Sequence, residues 1–177
     1  TFTRMLDNVV EMNGLPLPQQ VAEIVRKRRH GMGFLGLGSA TTMMRMKYGS
    51  PDSIAFAKRA ARVLAVEGWK EGVKLAIEKG PAPIMFEEFN HKGETVQGKD
   101  LFVQSEYLAK LLPEDILSDI RKYGCRFTHH TSIAPTGTIS LSMANNASNG
   151  IEPSFSHEYQ RNVIKEGAMT KRAGSVS

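Results

Sequence analysis

A chain of 177 residues, 41% hydrophobic and 23% charged, has the length and polarity of one soluble globular domain that buries roughly 70% of its unfolded surface. No apolar run approaches the ~20 residues of a spanning helix, and Thr1-Phe-Thr-Arg does not read as a signal peptide, so no membrane partner is expected. The net charge of +5 would attract polyanions, but Arg26-Lys-Arg-Arg-His30 has no interleaved aromatics and matches no nucleic-acid-binding motif, and it reads as a solvated helix end.

In chain order, Phe2, Met5, Leu6, Val9, Val10 and Met12 recur at helical spacing until Asn13-Gly14 ends the pattern. A start without Met inside a helical pattern reads as cut from a longer chain. Pro16 and Pro18 make a connector, and residues 19–29 form a second helix with Val21, Ile24 and Val25 inward. Gly31, Gly33 and Gly36 then spell G-x-G-x-x-G. A dinucleotide fingerprint needs a hydrophobic strand before it and an acidic residue about 20 positions on, and neither is present. The segment reads instead as a short, glycine-dense buried strand over 32–37, with a helix over 40–47 and Met43, Met44 and Met46 as core filling.

The clearest helix spans 51–79, with Ser50 as N-cap and Pro51 at its first position. Its inward stripe is Ala57, Ala61, Leu64, Ala65, Trp69, Val73, Ala76 and Ile77. Gly68 and Gly72 inside it predict a bend or a close approach. Residues 81–112 are irregular, a surface excursion turning at 90–94 and a short helix at 104–111. A helix over 113–123 buries Ile116, Leu117 and Ile120 and is capped by Gly124. A strand follows at 126–133. Helices alternating with short strands make the class α/β.

Residues 131–140 carry the chemistry. Pro135 fixes one φ, Gly137 permits a sharp turn, and Thr136, Thr138 and Ser140 offer hydroxyls where a strand passes into a helix. Unpaired N–H groups at such a helix start form an anion site suited to phosphate. Spacing alone fits a hydroxyl-capped helix start without a ligand equally well. His129 and His130, adjacent on the strand, face opposite sides, one to the core and one to a cleft. Either lends charge near a phosphate or is structural, and no Cys, Asp or Glu stands at metal-ligand spacing. Cys125, the single cysteine, excludes a disulfide framework, suits a reducing cytoplasm and reads as a small buried hydrophobe.

APTGTIS at 134–140, followed by Asn149-Gly-Ile-Glu-Pro153, resembles the substrate-phosphate segment of ribonucleotide reductase large chains. RRHGMGFLGLG at 28–38 and the wording of 128–167 are most similar to the adenosylcobalamin-dependent, class II branch, and the similarity runs over about 2–170. The resemblance implies a partial segment, from the C-terminal half, of the ten-stranded α/β barrel, with two or three strands. The intact cytoplasmic protein would make 2′-deoxyribonucleotides from ribonucleoside diphosphates by radical chemistry. Adenosylcobalamin would be the radical source and a thioredoxin-like dithiol the reductant, and a homodimer is compatible with the family.

The residues matching the family's diphosphate segment are Pro135, Thr136, Gly137, Thr138 and Ile139, with Ser140 adding a hydroxyl contact and Arg126 or Arg161 a charge. The family's radical and redox cysteines and its catalytic asparagine and glutamate belong to motifs absent here. No catalytic role therefore passes to Cys125 or Glu152, and Glu152 is expected to orient a loop. Two other classes stay open, a non-catalytic nucleotide-binding module and a basic nucleic-acid binder.

Overall fold

The structure, a computed structural model, describes residues 1–143, 148, 150–154 and 156, and the backbone of 158–165 and 168–175. The helices are α1 (Phe2–Glu11), α2 (Pro18–Lys27), α3 (Leu37–Met43), α4 (Pro51–Lys79), α5 (Gly98–Val103), α6 (Glu106–Leu111), α7 (Glu114–Tyr123) and α8 (Gly137–Ser142). The strands are β1 (Glu88–His91), β2 (Glu94–Gln97), β3 (Glu158–Lys165) and β4 (Ala168–Ser175). They form two separate two-stranded antiparallel sheets, β1-β2 and β3-β4. The chain divides into two compact units, one of residues 1–32 and 59–132, the other of 33–58 and 133–177.

The first unit is built on α4 from residue 59 onward, the helix beginning in the second unit. Ser50 Oγ accepts the Ser53 N–H at 3.4 Å, Asp52 lies in the first turn, and Gly80 at φ +89° follows the last. Ala65, Trp69, Val73, Leu75 and Ala76 of α4 pack with Leu108, Ile116, Leu117, Ile120, Cys125 and Phe127 in one buried cluster. The expected stripe holds at its centre, whereas Ile77 is exposed and Leu75, not expected, is fully buried. The two internal glycines are close approaches. A Cβ at Gly72 would meet Cys125 Sγ and Phe127 at 2.6 Å, and one at Gly68 would collide with the His130 ring. At 90–94 the surface excursion is a hairpin. Lys92 and Gly93, both at positive φ, make the two-residue turn between β1 and β2, and Asn90 Oδ1 accepts the Gly93 N–H.

The strands expected at 32–37 and 126–133 reduce to one parallel bridge, Met32 to Thr131. Met32 N–H donates to the His130 carbonyl at 2.7 Å and Ser132 N–H to the Met32 carbonyl at 2.9 Å. Elsewhere the second segment finds helix backbone, with Arg126 N–H on the Gly72 carbonyl and Thr128 N–H on the Lys27 carbonyl. A lone parallel pair is weakly stable, and Gly31, Gly33 and Gly36 supply no side chains to support one.

In the second unit α3 starts earlier than expected because Gly36 at φ +74° makes its turn, and Arg45 at φ +55° follows its end. Met43 and Met44 are exposed rather than core filling. Leu37 N–H donates to the Gly150 carbonyl at 2.9 Å and Tyr48 Oη–H to the Ile151 carbonyl at 2.5 Å, which ties the α3 region to the 150–152 loop. The β3-β4 hairpin, not anticipated from sequence, runs in register from Glu158 opposite Ser175 to Lys165 opposite Ala168. Among the described residues no helix is long and apolar enough to cross a membrane.

Candidate phosphate-binding turn

Residues 134–140 form the predicted turn into α8. Thr136, the N-cap, takes the left-handed conformation at φ +54°, which a β-branched residue adopts only under constraint. Ser140 N–H donates to the Thr136 carbonyl at 3.0 Å, so helical bonding begins there. Gly137, Thr138 and Ile139 occupy the first turn, where N–H groups have no partner inside the helix, and all three are exposed. A Cβ at Gly137 would meet nothing within 4 Å. Pro135 is exposed beside them. Ser140 differs: it is fully buried, and its Oγ–H donates to the Gly137 carbonyl at 2.8 Å. Its hydroxyl closes the first turn.

The 150–152 loop supports this turn. Glu152 Oε2 accepts the Gly150 N–H at 2.9 Å, the loop-orienting role expected of that residue. A Cβ at Gly150 would stand 3.2 Å from the Ala134 carbonyl oxygen and 3.3 Å from that of Pro135, closer than most side chains tolerate. Asn149 lies outside the described residues.

Arg126 does not serve as a free cation. It is buried, and its Nε donates to Asp7 Oδ1 at 3.0 Å, its Nη1 to the Lys79 and Gly80 carbonyls at 3.1 and 2.9 Å, and its Nη2 to Glu11. Arg28, at φ +50°, brings a second buried guanidinium onto Asp7 Oδ1 at 2.6 Å. Burial pushes the Asp7 carboxyl up, but hydrogen bonds and charge from Arg28 and Arg126 outweigh it and hold the group below its ordinary value. This network sets which face of α1 turns inward. Thr3, Asp7 and Val10 are buried while Phe2, Met5, Val9 and Met12 are exposed.

The rest of the basic cluster stands at the end of α2, as expected, with Arg26 and Lys27 in its last turn, and its cations form surface ion pairs. Arg26 grips Glu87 at 2.8 and 2.5 Å, Arg29 reaches Glu23 at 2.8 Å, and Lys27 pairs with the same Glu23. The Arg161 side chain lies outside the described residues.

His129 and His130 face opposite ways as expected, His129 exposed and His130 buried. A histidine not singled out, His30, completes a pair, with its Nε2 2.9 Å from His130 Nδ1. Desolvation, then the neighbouring His130, pushes His30 down to about 4, and desolvation lowers His130 as well. Cys125 is fully buried and its thiol is pushed up to about 12 by desolvation, as suits a structural residue. Among the described residues no group of three or more His, Cys, Asp and Glu is placed to hold a metal.

Residues 1–176 match the family described as ribonucleotide reductase, barrel domain. The chain belongs to that family. Its curated relatives include the ribonucleoside-diphosphate reductase subunit alpha of Chlamydia muridarum, 25% identical over 176 residues, covering 91% of this chain and 16% of that protein. The vitamin B12-dependent ribonucleoside-diphosphate reductase of Mycobacterium tuberculosis is 27% identical over 161 residues, covering 91% of this chain and 19% of that protein. The large subunit from African swine fever virus (strain Badajoz 1971 Vero-adapted) is 26% identical over 177 residues, covering 92% and 22%. The chain thus spans 16% to 22% of the length of these relatives. Two unclosed two-stranded sheets accord with a partial segment of a ribonucleotide reductase barrel domain.

Proposed function

We propose that this chain is the part of a ribonucleoside-diphosphate reductase that holds the substrate diphosphate, through the first-turn amides of Gly137, Thr138 and Ile139 and the hydroxyls of Thr136 and Thr138. The observation that carries this is the exposed helix start behind a left-handed Thr136, with open space in front of Gly137. Aligned N–H donors and the positive end of the helix favour an anion there. Pro135 presets the approach, and Gly150 lets the supporting loop come close. Holding the diphosphate fixes the depth of the ribose, so the chain binds and orients while the bond-breaking groups stand elsewhere in the polypeptide. The burial of the single thiol, Cys125, supports that division.

Reduction to 2′-deoxyribonucleotides, a thioredoxin-like dithiol reductant, a homodimer and a cytoplasmic setting belong to the same proposal. Adenosylcobalamin as radical source rests on the sequence resemblance and on the printed name of the mycobacterial relative. Cofactor dependence is tested by turnover of the complete polypeptide with and without adenosylcobalamin, and strict independence would place the protein in another branch.

The site is tested by Gly137→Val and Thr138→Val in the complete enzyme. A hydrogen bond to a charged group contributes roughly 1.5–3 kcal/mol, so KM for the diphosphate should rise about tenfold or more while the melting curve stays put. Gly137→Val discriminates well, because its side chain enters open space rather than the core. Unchanged kinetics in both variants would remove the turn from substrate binding. The internal pairing of the 26–30 cluster leaves the nucleic-acid reading without a specific observation in its favour.

A further inference from the structure

The glycine-dense stretch, which lacks the strand and the acidic residue of a dinucleotide site, ends in the second unit, the unit that also holds the phosphate turn. There it meets the 150–152 loop. Gly36 at φ +74° makes the turn into α3, and the next residue, Leu37, donates its N–H to the Gly150 carbonyl at 2.9 Å. Gly38 is buried, and a Cβ on it would stand 2.0 Å from the Glu152 carbonyl oxygen and 2.7 Å from Ser148 Cβ. From beyond α3, Tyr48 Oη–H donates to the Ile151 carbonyl at 2.5 Å.

Three consecutive loop carbonyls are thus engaged from one segment, two by hydrogen bonds and one by a backbone approach that glycine allows. Thr41 and Thr42 fasten the approaching turn, since both hydroxyls donate to the Gly38 carbonyl, at 2.8 and 2.9 Å. The loop in turn abuts the phosphate turn. Glu152 Oε2 holds the Gly150 N–H at 2.9 Å, and a Cβ at Gly150 would lie 3.2 Å from the Ala134 carbonyl oxygen and 3.3 Å from that of Pro135. A peptide carbonyl cannot swing aside as the end of a long side chain can, so a displacement at Gly38 is passed through the loop to 134–135.

We propose that Gly38 and Tyr48 are positioning residues for the substrate diphosphate, acting through the 150–152 loop on the backbone at 134–135 that leads into the first turn of α8. This role presupposes that 134–140 holds the diphosphate. The two residues set where Thr136 and the amides of 137–139 stand. Their loss weakens the hold on the diphosphate and leaves the bond-breaking groups, elsewhere in the polypeptide, as they were.

The test uses the complete enzyme and its ribonucleoside diphosphate substrate, with Tyr48→Phe or Gly38→Ala introduced. Tyr48 is 44% exposed, and Tyr48→Phe removes one hydroxyl and nothing of the core. It should raise KM about threefold, for the loss of one neutral hydrogen bond, with kcat within about twofold and the melting curve unmoved. Gly38→Ala should raise KM about tenfold or more. If it does not fold, Tyr48→Phe decides alone. Combined with Thr138→Val, Tyr48→Phe should add less than its own factor, because both act on one turn. An unchanged KM in Tyr48→Phe, or factors that simply multiply, would overturn the proposal. If Gly137→Val and Thr138→Val also leave KM unchanged, the diphosphate reading falls and this role with it. If those two raise KM and Tyr48→Phe does not, only the positioning role falls.

Discussion

Asp7 shows how much one side chain organises. It is a 1% exposed carboxylate taken up by two buried guanidiniums, Arg28 and Arg126, with Lys79 Nζ 3.5 Å away. Removing Asp7 would leave the two guanidiniums with the half-exposed Glu11 as their remaining carboxylate, and breaking a buried ion set costs about 3–5 kcal/mol. Asp7→Ala should lower stability by that order in a urea titration, and a loss under about 1 kcal/mol would mean that water reaches the guanidiniums. Because the carboxyl is depressed in the fold, its contribution is present above its unfolded value of 3.8 and is lost as pH falls through the folded value. His30 acts in a higher window. Folding holds its proton affinity near 4 against 6.5 when unfolded, so the unfolded chain takes up the proton first. Stability should fall between about pH 6.5 and 4, by at most about 3 kcal/mol. His30→Gln should flatten melting temperature against pH in that window, and an unchanged slope would exclude His30 as its source.

At the scale of elements, α8 is a six-residue helix whose start is set by one strained residue. A non-glycine residue in the left-handed region costs roughly 1–2 kcal/mol, so Thr136→Gly should relieve strain. The expected outcome is a melting temperature equal to or above the parent's together with weaker diphosphate binding, since glycine lacks the hydroxyl and holds the turn less firmly. A lower melting temperature with intact binding would assign Thr136 to folding alone. The long helix was legible because its signals agree: Ser50 and Pro51 at one end, Gly80 at the other, and Ala65, Trp69 and Val73 on one face. The orientation of α1 was not legible, since Phe2, Met5, Leu6, Val9, Val10 and Met12 all fit the helical spacing, and the buried Asp7 turns Thr3 and Val10 inward while Phe2, Met5, Val9 and Met12 stay exposed. The 32–37 strand failed for a related reason. A strand is stabilised by neighbours, and among the described residues the segment bridges only at Met32 before Gly36 turns it into α3.

At the scale of the molecule, the closed part of the first unit can be probed through its only thiol. Cys125 has no exposed surface and sits against Gly72 with a thiol pushed up to about 12. Alkylation by N-ethylmaleimide should be negligible in native buffer and stoichiometric in urea, its rate following global opening. Fast native labelling would show that the cluster around Phe127 opens locally. The sequence by itself determined the helices with agreeing caps, the close approaches at Gly68 and Gly72, the turn at 134–140 and membership of the ribonucleotide reductase barrel-domain family. These are written in local spacing and residue type. Only the tertiary structure decided that Arg126 and Arg28 serve Asp7 rather than a ligand, that His30 partners His130, and that Ser140 turns inward. Each of these depends on which distant side chain arrives with charge or hydrogen-bonding capacity to share, and spacing along the chain carries no record of that.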